Sequence, residues 1–130
     1  MTTWKFYCEW KSNIPLPPDY TFARAFNYLN AEKNSFYILE RDDGEFIQCG
    51  GSKAACTVEV KIFAPNHSLT HYVLGHSDGT DAKTEIQMSN GAVTVLQRQV
   101  LNHREAIRLF DCFFKREPFP AEYLLAPRNA

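Results

Sequence analysis

The sequence predicts an α+β fold: an antiparallel meander of about six to seven strands with two helices packed on it, in two layers. Three observations lead there. From Ser35 to about Val100, short apolar-alternating runs are separated by Asp-Gly, Pro-Asn and Asn-Gly turns at hairpin spacing. The gaps between these runs are too short for the crossovers that parallel strands need. Beyond Val100 the apolar residues change to helical spacing.

The elements follow in order. Trp4-Lys5-Phe6-Tyr7-Cys8-Glu9-Trp10 alternates loosely and is rich in aromatics, which suits a first strand with both Trp4 and Trp10 in the core. Ile14-Pro15-Leu16-Pro17-Pro18 breaks regular structure, since each proline fixes φ and removes a donor. Asp19 then stands where it can cap a short helix carrying Phe22, Phe26 and Leu29, which Asn30 and Glu32-Lys33-Asn34 end. Phe36–Glu40 and Phe46–Cys49 flank Asp42-Asp43-Gly44, a tight-hairpin signal because glycine accepts positive φ. Cys56, Val58, Val60 and Ile62 alternate with Thr57, Glu59 and Lys61 in the cleanest strand, and Leu69–Leu74 pairs with it across Pro65-Asn66-His67. Thr84–Met88 and Val93–Leu96, joined by Asn90-Gly91, make the third hairpin of the meander. The last helix opens on Asn102 with Glu105 at N3, a variant of the capping box. Ala106, Ile107, Phe110, Phe113 and Phe114 share one face of it, with Arg104, Arg108, Asp111 and Lys115 mostly opposite. Pro118 and Pro120 stop the helix, and Tyr123-Leu124-Leu125 is placed to fold back on the sheet.

A chain of 130 residues, 45% hydrophobic and with ten Phe, six Tyr and two Trp, holds enough bulky apolar surface for one domain over residues 1–130. Fourteen basic and fifteen acidic residues are mixed along it, so no basic stripe for direct nucleic-acid binding and no polybasic run for a membrane surface is present. Met1-Thr2-Thr3-Trp4-Lys5 lacks the pattern of a signal peptide, and a cytoplasmic location is expected. Cys8, Cys49, Cys56 and Cys112 form no C-x-x-C pair and read as small, half-buried hydrophobes.

Candidate chemistry is sparse. His67, His71 and His76 fall within ten residues, but His67 and His71 lie ~12 Å or more apart along a strand and His76 has the opposite parity. A shared metal is therefore not expected. A cysteine nucleophile would need an imidazole or a helix N-terminus beside it, and Cys112 sits near a helix C-terminus, where the dipole opposes a thiolate. Cys49 and Cys56 border Gly50-Gly51-Ser52-Lys53, which lacks phosphate-loop spacing and reads as a plain inter-hairpin loop. No cofactor, metal site or catalytic residue is expected. The surface offers more: Asp42, Asp43, Glu45, Asp78 and Asp81 are acidic groups expected on loop tips, and Tyr72 is an interface-type aromatic.

The run Ser35-Phe36-Tyr37-Ile38-Leu39-Glu40, then Val60–Ala64 and His71–Gly75, precedes the helix Val100–Phe110 and the close Phe113-Phe114-Lys115-Arg116-Glu117-Pro118-Phe119-Pro120-Ala121-Glu122-Tyr123-Leu124. This arrangement resembles bacterial polymorphic-toxin immunity proteins, in particular the branch that includes inhibitors of DNA-deaminase toxins. The resemblance spans roughly Ser35 to Leu125. Tyr123-Leu124-Leu125 stands where that family usually carries a Trp. The resemblance implies a cytosolic antidote, not an enzyme, that binds a cognate toxin or effector acting on nucleic acid and covers its active site. The acidic residues would then meet a cleft made basic by its polyanionic substrate. Two other readings compete. One is a secretion chaperone or other small binding module for an extended effector segment. The other is a small hydrolase or isomerase in which His71, Cys49 or Cys56 and a carboxylate converge in a pocket between sheet and helix.

Overall fold

Cys56–Phe63 is the strand around which the molecule is built, because both of its faces are covered: Cys56, Val58 and Val60 on one side, Thr57 and Glu59 on the other. The computed structural model describes residues 2–128. Its elements are β1 (Trp4–Cys8), α1 (Ala23–Phe26), β2 (Phe36–Arg41), β3 (Phe46–Gly51), β4 (Cys56–Phe63), β5 (Leu69–His76), β6 (Lys83–Met88), β7 (Gly91–Leu96), α2 (His103–Lys115) and β8 (Tyr123–Pro127). The fold is α+β, with a six-stranded antiparallel sheet in the order β1-β2-β3-β4-β5-β8 and a separate two-stranded sheet of β6 and β7.

Beneath the sheet lies one apolar core. Phe6, Leu39, Ile47, Val58, Val60 and Leu74 are wholly buried on one face, as the two-residue period of a pleated strand requires. Against them pack Phe22, Phe26 and Leu29 from the α1 region and Ala106, Leu109, Phe110 and Phe113 from α2. Leu109 joins the face read from the sequence, while Ile107 and Phe114 lie at its margin.

Helix α2 has the predicted start. The Asn102 side chain accepts from the Glu105 N–H at 3.0 Å, and Glu105 Oε1 accepts from the Asn102 N–H at 3.2 Å. The far end closes in an unexpected way, with Arg116 in the left-handed region at φ 59°. That turn aims the Arg116 guanidinium at Glu45, 2.7 Å away, and over the Phe113 ring.

Helix α1 is shorter than the spacing predicts. It is capped at Phe22 rather than Asp19, with no side-chain bond at the cap. A turn in which the Tyr20 N–H donates to the Pro17 carbonyl occupies the expected first turn. Phe22, Phe26 and Leu29 nevertheless reach the core.

Another departure concerns the third hairpin, which does not extend the meander. The edge of β5 is taken instead by β8, in the register Leu74↔Leu125 and His76↔Tyr123. Tyr123 and Leu125 thereby join the core, so the closing segment is a sheet strand. The hairpin β6–β7 folds across the outer face and seats on Gly50-Gly51 at the end of β3. A Cβ on Gly50 would stand 2.8 Å from Met88 Cε, and one on Gly51 would stand 2.5 Å from the Ala55 carbonyl and 2.8 Å from Ile86 Cγ2. These glycines, expected in a loop, are where the hairpin side chains Met88 and Ile86 and the Ala55 carbonyl approach. Gly51 also has φ +130°, so Gly51→Ala is expected to lower stability by about 2 kcal/mol or more. A urea midpoint equal to wild type would show that the seat yields.

Candidate functional site

The six residues singled out as partner-binding do not share a surface. Asp42 and Asp43 are exposed at the β2–β3 turn. Asp42 is also tied to the N-terminal segment, its Oδ2 accepting from the Thr3 N–H at 3.0 Å. Asp78 is exposed just past the end of β5. The pairings Phe46↔Lys61 and Phe63↔Leu69 put the start of β5 beside the β2–β3 turn, so Asp78 lies at the opposite end of the sheet. Asp81 neighbours it and is held by Arg98 Nε at 2.6 Å. Tyr72 is half-buried and packs on the core.

Glu45 departs from expectation. It is 5% exposed, not a loop-tip acid. One residue past Gly44 and just before β3, Glu45 already points to the core side. There Glu45 Oε2 accepts from the Phe63 N–H at 3.1 Å, and Oε1 faces Arg116. Strand parity and one distant arginine turn an expected contact residue into a structural one.

The histidines are each accounted for separately. His67 occupies the β4–β5 turn at φ 65°. His76 Nε2 meets Glu105 Oε2 at 2.5 Å, and the Tyr123 hydroxyl donates to the same oxygen at 2.6 Å. Burial works to raise the Glu105 pKa. The hydrogen bonds from Tyr123, His76 and the Asn102 N–H outweigh it and hold the carboxyl below its ordinary range. His71 faces Glu59 instead, its Nε2 2.8 Å from Glu59 Oε1, and Arg128 pairs with the same Glu59 oxygen. Among the described residues, no three His, Cys, Asp or Glu side chains gather as metal ligands.

Nor do the thiols meet an imidazole. Cys49 and Cys56 are 1% and 0% exposed in the core. His71 and Glu59 belong to the outer face, so the sheet stands between them and both sulfurs. The Cys49 thiol, hydrogen-bonded to Cys56 and shut off from water, is pushed well above the ordinary thiol range. Burial, with Glu117 nearby, raises Cys112 as well.

Trp10 supplies what sequence reasoning missed. The strand that would bury it ends at Cys8, whose N–H donates to the Lys11 carbonyl at 2.9 Å. This turn swings Trp10 outward to 53% exposure, beside Tyr28 at 58%, with ring centroids 6.1 Å apart. The pair borders a cleft of about 440 Å³ floored by Ile14, Pro15, Pro17 and Tyr20 and edged by Lys11 and Arg24. Trp4, by contrast, packs on Phe113 and Phe114, as expected of a core aromatic.

The β6–β7 hairpin is fastened at both ends. At its base, Arg98 Nη1 donates to the His76 and Ser77 carbonyls. At its tip, Ser89 Oγ donates to Glu9 Oε2 at 2.7 Å, while Glu9 Oε1 accepts from the Ser35 N–H and Oγ, both at 2.9 Å. The Ser35 N–H and the two hydroxyls hold the Glu9 pKa below its ordinary 4.5. A carboxylate depressed in the folded state contributes stability above its unfolded pKa and loses it as the pH falls through the folded value. Ser89 amide exchange should therefore speed up below pH 4.5 beyond its intrinsic pH trend, and Glu9→Gln should abolish that excess. Identical profiles in both proteins would rule out the latch.

Comparison with protein-family models, with curated proteins and with solved structures finds no match for this chain. No helix among the described residues is long and apolar enough to cross a membrane.

Proposed function

We propose that the chain is an immunity protein: it binds a cognate bacterial toxin domain and neutralises it by covering the toxin's active site. The observation that carries this reading is the exposed Trp10–Tyr28 pair at the edge of an apolar cleft. Large aromatics set in a local hollow are the residue types on which protein–protein binding energy concentrates. Fourteen percent of the chain is aromatic, and most of the aromatic rings are spent on the core; these two are not. The resemblance over Ser35–Leu125 supplies the kind of partner, and the exposed Asp42 and Asp43 supply charge suited to a basic nuclease or deaminase cleft.

Co-expression tests the reading directly. A candidate toxin domain from a neighbouring reading frame should arrest growth when expressed alone, and this chain should restore growth and co-purify with it. Failure to rescue would remove the proposal. Limited proteolysis of the purified complex separates the antidote from the chaperone. An antidote leaves a protected, folded toxin domain, whereas a chaperone leaves a protected extended segment.

A further inference from the structure

Beneath the β6–β7 hairpin, on the sheet face away from α2, lies a cleft of about 460 Å³. That is inside the roughly 300–1,000 Å³ of small-molecule sites. One end is apolar, walled by Phe36 and Ile38 from β2 and by Met88 and Val93 from the hairpin. The other end is polar, lined by Gln48, Thr57, Glu59, His71 and Arg128. Such a division of apolar wall and converging polar groups is what orients a ligand rather than merely admitting one.

Two features of the polar end go further. Thr57 is 4% exposed, yet its Oγ1 has no hydrogen-bond partner. His71 Nε2 is likewise buried without one, since its approach to Glu59 is close but poorly aligned. Of the five such side-chain atoms among the described residues, these two line the same space. Buried polar atoms are ordinarily satisfied, and a ligand group beside Thr57 would satisfy its hydroxyl. The charges also leave a remainder. Glu59 is the single carboxylate lining this cleft and already faces Arg128 and His71. An adjoining cleft of about 680 Å³ shares Thr57, Glu59, Val93 and Arg128 with it and adds the Lys83 ammonium. Cationic groups therefore outnumber carboxylates across the joined space.

We propose that this roofed cleft binds a small amphipathic carboxylate, with its apolar body against Phe36, Ile38, Met88 and Val93 and its carboxylate between the Arg128 guanidinium and the Thr57 hydroxyl. A guanidinium carries five N–H donors in a planar fork that matches a carboxylate. The Arg128 contact with Glu59 is made through Nη1. A cationic ligand would meet Arg128 and Lys83 with Glu59 already engaged, and a neutral one would leave the surplus charge unanswered. The site is independent of the Trp10–Tyr28 surface and of any toxin.

Octanoate is the test ligand, with octylamine and octan-1-ol as probes of opposite and of no charge. They are titrated into the isotopically labelled full chain at neutral pH. The expected result is saturable movement of the Gln48, Thr57 and Val93 amide signals with octanoate, about tenfold weaker binding of the alcohol, and none of the amine. Arg128→Gln should weaken octanoate about tenfold. Thr57→Val, which keeps the side-chain shape and leaves the Glu59 pairs intact, should weaken it severalfold. Val93→Trp, which fills the apolar end, should abolish binding. No saturable movement with octanoate, equal affinity for all three probes, or unchanged affinity in both Arg128→Gln and Thr57→Val would each overturn the site.

Discussion

Phe110→Ala is expected to lower the unfolding free energy by about 3–5 kcal/mol, the largest effect of any single truncation in the core. The residue is 0% exposed, and its ring lies 4.9 Å from Phe26, 5.5 Å from Phe22 and 6.3 Å from Phe6. It is the point at which α2, the α1 region and β1 meet. Removing it forfeits the transfer energy of the ring and leaves a cavity whose walls cannot collapse. Those walls are themselves rigid aromatics, held edge-to-face by one another: Phe6 and Phe22, for instance, are 5.2 Å apart at 85°. Against a total stability of about 5–15 kcal/mol for a domain of this kind, the loss is a fifth or more. Urea unfolding gives the measurement, with Phe63→Ala as the control. Phe63 is 44% exposed, and its truncation should cost about 0.5 kcal/mol or less. A Phe110 variant no weaker than the Phe63 variant would mean that this cluster does not hold the fold together.

That core was legible because its signals are local. The i, i+4, i+7 spacing of Ala106, Phe110 and Phe113 needs no knowledge of the partner surface, and neither does the alternation Cys56-Val58-Val60. Turn chemistry was equally local: Gly44, at φ +99°, donates its N–H to the Arg41 carbonyl in the β2–β3 turn. What local signals do not carry is where a finished element goes. Asn90-Gly91 marks a hairpin, and Gly91 does take φ +125°, but nothing within β6–β7 says whether it pairs with β5 or crosses over β3. The deciding features are distant, a glycine pair in β3 and a strand beyond α2 that competes for the β5 edge. Because the hairpin crosses over, Thr57 and Glu59 are buried on a face whose polar alternation reads as solvated. The whole Glu59–His71–Arg128 group was hidden for that reason. Glu45 failed in the same way. Its exposure was read from an acidic turn, while its burial depends on Arg116 at the far end of α2.

The same distinction decides which surface residues should matter for a partner. Trp10→Ala with Tyr28→Ala is expected to weaken toxin binding by about 3 kcal/mol, roughly a hundredfold in affinity. The loss should appear chiefly as faster dissociation. Truncating the pair should leave the fold intact, since both side chains are more than half exposed and such positions shift stability by about 0.5 kcal/mol or less. Charge reversal at Asp42 and Asp43 should act differently. Exposed charges away from the contact govern encounter more than residence, so the association rate should fall and its salt dependence flatten while dissociation changes little. Asp42 and Asp43 stand at the end of the sheet opposite Trp10, since Trp4 pairs with Arg41 and Cys8 with Tyr37. Asp78 lies at the Trp10 end but across the sheet from β1, so adding it should likewise change association more than dissociation. Surface-plasmon measurements at two ionic strengths separate the outcomes. Wild-type dissociation in the Trp10/Tyr28 variant would move the interface away from the aromatic pair. A dissociation-dominated loss in the aspartate variant would place it at the β2–β3 turn instead.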